Sequence, residues 1–285
     1  MTLHLSDEER EVAAGSDGAA MAMRIVADSA RLLGAERLLP IASAHIDGAL
    51  YHGDSGTLFA DSLVNGGARV GVRSTLNVGA LDLTGCCRVR LEEPRRDMAR
   101  RMMQAYMRLG CEPTWTCAPY QAGHRPAAGT DVAWGESNAV VFCNSVLGAR
   151  TNRYGDFLDI ACAITGRAPA SGLHRPENRR ARIIFDVGAL PAAFLASEIA
   201  WPILGSLYGR EAGGTVGVVV GVPSHPGEDA LKAFGAAAAS TGAVGLFHIA
   251  GITPEAPDAP AALGGLPPEQ TIVVSEDMVA ETRGR

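Results

Sequence analysis

The chain has 285 residues, 47% of them hydrophobic but only 5% aromatic, with 34 glycines and a net charge of −6. That is apolar material for one large or two ordinary domains, and the Ala/Gly/Val-rich balance fits helices packed closely on sheets better than an aromatic-rich β-sandwich. The acidic balance and the lack of a long basic run exclude a nucleic-acid footprint, and no apolar run approaches the ~18–20 residues of a membrane span.

The N-terminus is acidic and lacks the apolar core of a secretory signal. Ser6 followed by Glu9 is a capping box that predicts a helix start. Apolar spacing over 17–33 predicts a second helix that ends at Gly34. Residues 38–44 read as a short buried strand, 56–65 as a helix ending in Gly66-Gly67, and 68–72 as a second strand. Residues 94–110 form a predicted helix with Pro94 near its start and Gly110 at its end. The segment 111–153 is loop-rich, a length that inside a compact domain signals function or disorder. Trp115, Tyr120 and Trp134 argue against disorder. A helix over 155–165 follows. Beyond 180 the pattern becomes regular: strands at 182–187, 215–222, 243–249 and 271–274, helices at 192–208 and 227–240, a surface loop at 253–269, and Ser275 as the cap of a last helix. Apolar strands alternating with amphipathic helices indicate a parallel sheet covered on both faces. The fold class is α/β, with an N-terminal region over 1–180 that carries the loop-rich segment and a second α/β region over 181–285. A doubly wound domain rarely ends one or two turns into a helix, so more of the functional unit is expected elsewhere.

In such folds chemistry gathers at the carboxyl ends of strands. Three polar stretches follow predicted strands: 44–48, 73–77 and 248–255. His45 and His248 are each as readily structural as functional there. Six cysteines show no extracellular framework spacing, which sets a reducing, cytoplasmic expectation. Cys117, flanked by Thr114, Thr116 and Pro119, is the candidate thiolate for metal binding or nucleophilic chemistry. Cys143 is the second candidate. Cys86-Cys87, Cys111 and Cys162 read as packing, and no CxxC or four-cysteine spacing is present. Glu136-Ser137-Asn138, Asn144-Ser145 and Gly148 to Asn152 form a dense donor and acceptor set, with Arg150 offering a fork for a carboxylate or phosphate and Glu136 an acid or base. The alternative is a loop whose polar residues satisfy its own backbone. Arginine clusters at 94–101 and 179–182 have acids beside them and read as solvated helix faces and segment ends. The glycines at 213–217 precede a strand rather than follow one, and no GxxxxGK[ST] occurs, so nicotinamide and nucleoside triphosphate sites lack support.

At these motifs the sequence resembles aconitase X, a family related to the aconitase hydro-lyases. The matching stretches are Ala44-His45-Ile46-Asp47-Gly48, Ser74-Thr75-Leu76-Asn77, Thr116-Cys117-Ala118-Pro119-Tyr120-Gln121, Trp134-Gly135-Glu136-Ser137-Asn138-Ala139, the run from Asn144 to Asn152, and Gly251-Ile252-Thr253-Pro254-Glu255. The resemblance implies an aconitase-like, multi-lobed fold of parallel and mixed sheets covered by helices, incomplete at the C-terminus. A small swivelling domain or subunit outside this chain would complete the site. It implies a hydro-lyase holding an iron–sulfur cluster or a mononuclear iron. Cys117 matches an iron ligand, and the other ligands, with the serine base, lie outside the chain. Family members dehydrate small hydroxy acids: cis-3-hydroxy-L-proline, which the acidic, Ala/Arg-rich composition favours here, or 5-phosphomevalonate. A phosphate would call on Arg73, Arg150 or Arg153. The expected catalytic residues are Glu136, Arg150 and His45. Ser74, Thr75, Asn77, Ser137, Asn138, Asn144, Ser145 and Thr151 are expected to bind substrate. A non-catalytic binder of a small acid is the competing expectation, and iron analysis separates the two.

Overall fold

The computed structural model describes residues 2–83 and 91–284, so Cys86 and Cys87 lie outside the described residues. The chain divides into two compact units. Unit 1 comprises residues 1–126, 130–136 and 152–172, and unit 2 comprises 127–129, 137–151 and 173–285.

Unit 1 is built on three parallel strands, β2 (Ser43–Ile46), β3 (Arg73–Leu76) and β4 (Ala133–Trp134), in the order β3-β2-β4. A separate antiparallel pair joins β1 (Leu38–Pro40) to β5 (Arg167–Pro169). Helices Asp7–Ala14, Gly18–Leu32, Asp54–Asn65, Glu93–Arg108 and Leu158–Thr165 pack around these sheets. The first begins at the capping box, where Ser6 Oγ accepts from Glu9 N and the Glu9 carboxylate accepts from Ser6 N. Val26, Ala30, Leu63, Met102, Tyr106 and Ile160 lie in its core.

Two strand expectations shift. Residues 38–44 are not one strand, because the chain changes sheets. Pro40 ends the β1–β5 pair, Ile41 N and Ala42 N bond to Gly166 O and Asp131 O, and β2 starts at Ser43. Residues 68–72 make no ladder. Ala68 N closes the preceding helix on Leu63 O, Val70 N goes to Leu109 O and Gly71 N to Ala163 O. The strand is the polar stretch that follows, Arg73–Leu76.

Unit 2 carries a four-stranded parallel sheet, β6 (Ile183–Asp186), β7 (Gly217–Val220), β8 (His248–Ile249) and β9 (Gln270–Val273), in the order β8-β7-β6-β9. Only the last two residues of the expected 243–249 strand pair. The helix expected over 192–208 is two pieces, Ala192–Leu195 and Ala200–Ala212. Pro202 explains the restart, since a residue without an N–H is tolerated in the first turn of a helix but not in its interior. Ala200–Ala212 packs on Glu228–Thr241 at a glycine contact, where a Cβ on Gly205 would stand 2.2 Å from Phe234 O. Phe185, Tyr208, Phe234 and Phe247 form an aromatic core with centroid separations of 4.7–5.4 Å. Tyr208 satisfies its buried hydroxyl by accepting from Gly217 N at 2.7 Å. Helix Glu276–Arg283 starts as expected on Ser275, whose Oγ accepts from Met278 N. The loop-rich segment also holds a helix, Ser137–Phe142, which passes into a π-helical turn at Cys143–Leu147. No helix among the described residues is long and apolar enough to cross a membrane.

Candidate active site

The three parallel strands of unit 1 deliver one residue each to a single hydrogen-bonded cluster at their carboxyl ends, where open α/β sheets bind ligands. Asp47 follows β2, Asn77 follows β3, and Gly135-Glu136 follows β4. Asn77 Nδ2 donates to Asp47 Oδ1, and Glu136 N donates to the same carboxylate. Burial pushes the half-buried Asp47 carboxyl above its ordinary range, against the hydrogen bond from Asn77. Asp159, at the start of helix Leu158–Thr165, holds the loop from below. Its Oδ2 accepts from Asp47 N at 2.6 Å and Gly48 N at 3.4 Å, and Oδ1 accepts from Ile160 N at 2.5 Å. Full burial drives the Asp159 carboxyl well up despite those donors. Only glycine fits at 135, because a Cβ there would stand 2.7 Å from Asp47 Cβ and 2.8 Å from Asp159 Oδ2.

Glu136 is left-handed, with φ 68°, and Trp115 has φ 46°; they are the two non-glycine residues with positive φ among the described ones. Both lie beside candidate site residues. Such conformations cost about 1–3 kcal/mol and persist where the surroundings impose them. Here the imposed feature is visible at Glu136: its amide points at Asp47.

Cys117 reaches the same end of the sheet. Residues 112–116 run along β3: Glu112 N bonds to Ser74 O, Thr114 Oγ1 to Leu76 O at 2.8 Å, and Thr116 N to Leu76 O at 3.3 Å. Cys117 follows, exposed, and the turn Pro119–Ala122 comes next. Beneath the cluster, Thr75 Oγ1 bridges two imidazoles, His45 Nδ1 at 2.9 Å and His124 Nδ1 at 2.8 Å. Burial lowers His45 to about 3 and His124 to about 4, so both rings are neutral. Trp134 packs on both, with centroids 5.8 and 5.0 Å away. His45 and Thr75 are therefore wholly interior. Ser74, also buried, donates to Val72 O.

In unit 2 the expected polar loop is tied to one guanidinium. Arg179 is 4% exposed. Its Nε faces both oxygens of Glu255 at 2.9 Å, Nη1 donates to Asn144 Oδ1 and Leu173 O, and Nη2 donates to Asn144 O and Ala149 O. This overturns the reading of the whole 179–182 cluster as solvated. Asn144 spends the rest of its amide on Thr151 N, Thr151 O and Gly245 O. Ser145 Oγ accepts from Phe247 N. Asn144, Ser145 and Thr151 are buried; the first ties the loop to itself at Thr151 and to Gly245, and the second ties it to Phe247. Ser137 is exposed and Asn138 half-buried at the start of their helix. Arg150 is half-buried, and its Nε is buried without a hydrogen-bond partner.

Among the described residues no group of three or more His, Cys, Asp or Glu could hold a metal ion. Cys117 offers an accessible thiol, but this chain's described residues do not close a metal site. Cys143 is fully buried, and burial pushes its thiol well up. Asp47, Asp159, His124 and Arg179 carry the geometry without having been singled out from sequence. For Asp47 a signal existed, its place immediately after a predicted strand. Asp159 lies inside a helical pattern and gave none.

A parallel-stranded α/β unit with polar residues converging at its strand ends belongs to the class of folds that bind ligands there. The chain belongs to the aconitase X family: the profile of the aconitase X first domain matches residues 2–177 and that of the second domain residues 181–284. It is 42% identical over 96% of its length to a cis-3-hydroxy-L-proline dehydratase of Pseudomonas aeruginosa, and 41% identical over 93% to one of Hypocrea jecorina. It covers 47% and 45% of those proteins, so it spans about half their length. A phosphomevalonate dehydratase large subunit of Thermococcus kodakarensis is 37% identical over 89% of this chain and 63% of that one. The crystal structure of Thermococcus kodakaraensis aconitase X in its holo form superposes with a TM-score of 0.87 and 33% identity, covering 99% of this chain and 69% of that one. The aconitase-like α/β fold class is thereby established.

Proposed function

We propose that the complete protein containing this chain is a hydro-lyase that dehydrates cis-3-hydroxy-L-proline to a pyrroline-2-carboxylate. The likeness to two dehydratases of that name, at 41–42% identity over nearly the whole chain, carries the reading. The reaction removes a proton from Cα and the hydroxyl from Cβ, releases water, and leaves an enamine that tautomerises to the cyclic imine. Within this chain, Glu136 is the proposed group that positions the hydroxyl, and Asn77, Ser137 and Asn138 the proposed ligand contacts. Arg150 is the proposed carboxylate clamp, because its guanidinium keeps an unspent buried donor. Buried His45, Ser74, Thr75, Asn144, Ser145 and Thr151 are proposed as the frame. Cys117 is proposed as one ligand of an iron centre, cluster or mononuclear, whose other ligands come from outside this chain. A small swivelling domain or subunit completes the proposed enzyme, in keeping with relatives named as large subunits. The proposed setting is cytoplasmic, without nucleic-acid or membrane partners.

Anaerobic turnover of the complete enzyme with cis-3-hydroxy-L-proline, followed by imine formation, tests the reading. Turnover of 5-phosphomevalonate instead would replace it with the activity named for the archaeal relatives.

A further inference from the structure

We infer that Asp47 and Asn77 form a subsite for a cationic secondary amine, one N–H going to the Asp47 carboxylate and the other to Asn77 Oδ1. Only the identification of that amine with the ring nitrogen of hydroxyproline rests on the proposed function.

Asn77 Nδ2 gives one of its two N–H groups to Asp47, and Glu136 N gives its own to the same carboxylate. The acceptor left over is on Asn77. Asn77 is 3% exposed, and its Oδ1 has no hydrogen-bond partner. The amide is oriented by its bond to Asp47: Nδ2 faces the carboxylate, so the oxygen is the free end. One side chain thus holds a vacant acceptor within an amide's width of a carboxylate. The charges acting on Asp47 favour the same ligand. Asp156 adds negative potential, His52 is the opposing group, and no Lys or Arg is among them. A phosphate or carboxylate here would meet acceptors and like charge. An ammonium of the ring type, with two N–H donors, meets a partner for each and neutralises the field.

The test uses two ligands of equal size and equal carboxylate, differing only in the ring atom: L-proline and tetrahydrofuran-2-carboxylate. Competition against turnover, or calorimetry where there is none, gives both affinities for the complete enzyme. The wild type is expected to prefer proline by about 10–100-fold, the range of a charge-assisted hydrogen bond. Asp47→Asn is expected to abolish most of that preference, and Asn77→Ser to reduce it. Equal wild-type affinities, no binding of proline, or an Asp47→Asn enzyme that weakens both ligands alike would overturn the subsite. If Asp47→Asn fails to fold by circular dichroism, the wild-type comparison decides alone. The two readings separate cleanly. Proline preference without hydroxyproline turnover sinks the proposed reaction and leaves the subsite, and turnover without preference does the reverse.

Discussion

The two units use parallel sheets for different ends. In unit 1 the short strands β2, β3 and β4 are lined by His45, Ser74, Thr75 and Trp134 and finish in Asp47, Asn77 and Glu136. In unit 2 the strands bury mainly apolar residues, Phe185, Val218, Val219 and Ile249, beside one imidazole, His248, and much of the polar burial meets at Arg179, whose carbonyl lies 2.7 Å from His248 Nε2. Unit 1 spreads its buried polar groups along the strands and their ends. Unit 2 ties many of its own to one guanidinium. The contrast predicts that a polar deletion is most damaging where one side chain serves many partners.

Arg179→Ala is therefore the largest expected effect. It would take this donor from Glu255 and from the carbonyls of Leu173, Asn144 and Ala149, and leave Asn144 Oδ1 with Thr151 N alone. Breaking such a buried pair costs about 3–5 kcal/mol. Trp201, the single tryptophan of unit 2, reports the urea transition. Arg179→Lys should recover little, since an ammonium lacks the planar fork. A loss under about 1 kcal/mol would mean that the loop does not depend on this knot.

In unit 1 the corresponding deletion is divided among several groups and should be milder. Thr75→Val keeps the shape but strands two buried ring nitrogens, for an expected loss of about 1–3 kcal/mol. Thr75→Ser, which keeps the hydroxyl, should restore most of it. Equal losses for both would assign Thr75 to methyl packing rather than to the bridge.

The same bridge makes unit 1 sensitive to acid. His45 and His124 titrate at about 3 and 4 in the fold, below the ordinary 6.5. As pH falls below 6.5 the unfolded chain takes up protons first, so stability is lost down to pH 3–4, with a slope of up to ~1.4 kcal/mol per pH unit for each ring. The raised carboxyls of Asp47 and Asp159 act with the opposite sign, since their contribution is retained at low pH and lost as pH rises through their folded values. Hydrogen exchange in β2 and β3 should show the net loss on acidification. His124→Asn should shallow the acid limb, and an unchanged slope would mean that His124 is not the titrating group.

How much of this was legible in the sequence follows the same division. Local signals held: the Ser6–Glu9 box and the Ser275 cap start their helices, and apolar alternation located β6, β7 and β9 within a residue or two. Unit 1 was harder because its site strands look polar. Arg73, Ser74 and Thr75 read as a loop, yet the last two are buried by partners that lie 30 and 49 residues from Thr75. Likewise Arg179 read as solvated because the acid that pairs with it, Glu255, is 76 residues away. The resemblance pointed to the strand-end loops, but the left-handed φ of Glu136 and the support from Asp159 exist only once strands are side by side.

Cys117 gives the smallest expected effect on stability and the sharpest contrast with the buried groups. It is exposed on a loop that is already fixed by Thr114 and Thr116. Cys117→Ala should change the unfolding free energy by no more than about 0.5 kcal/mol, the range of a surface substitution. In the complete enzyme the same variant should lose bound iron and turnover together. A variant that kept its iron would show that this thiol is no ligand. A variant that unfolded would show that the loop, rather than its thiol, depends on Cys117. Only unchanged stability with lost iron places the residue's value wholly in chemistry, on the sheet whose polar interior already distinguishes it from its neighbour.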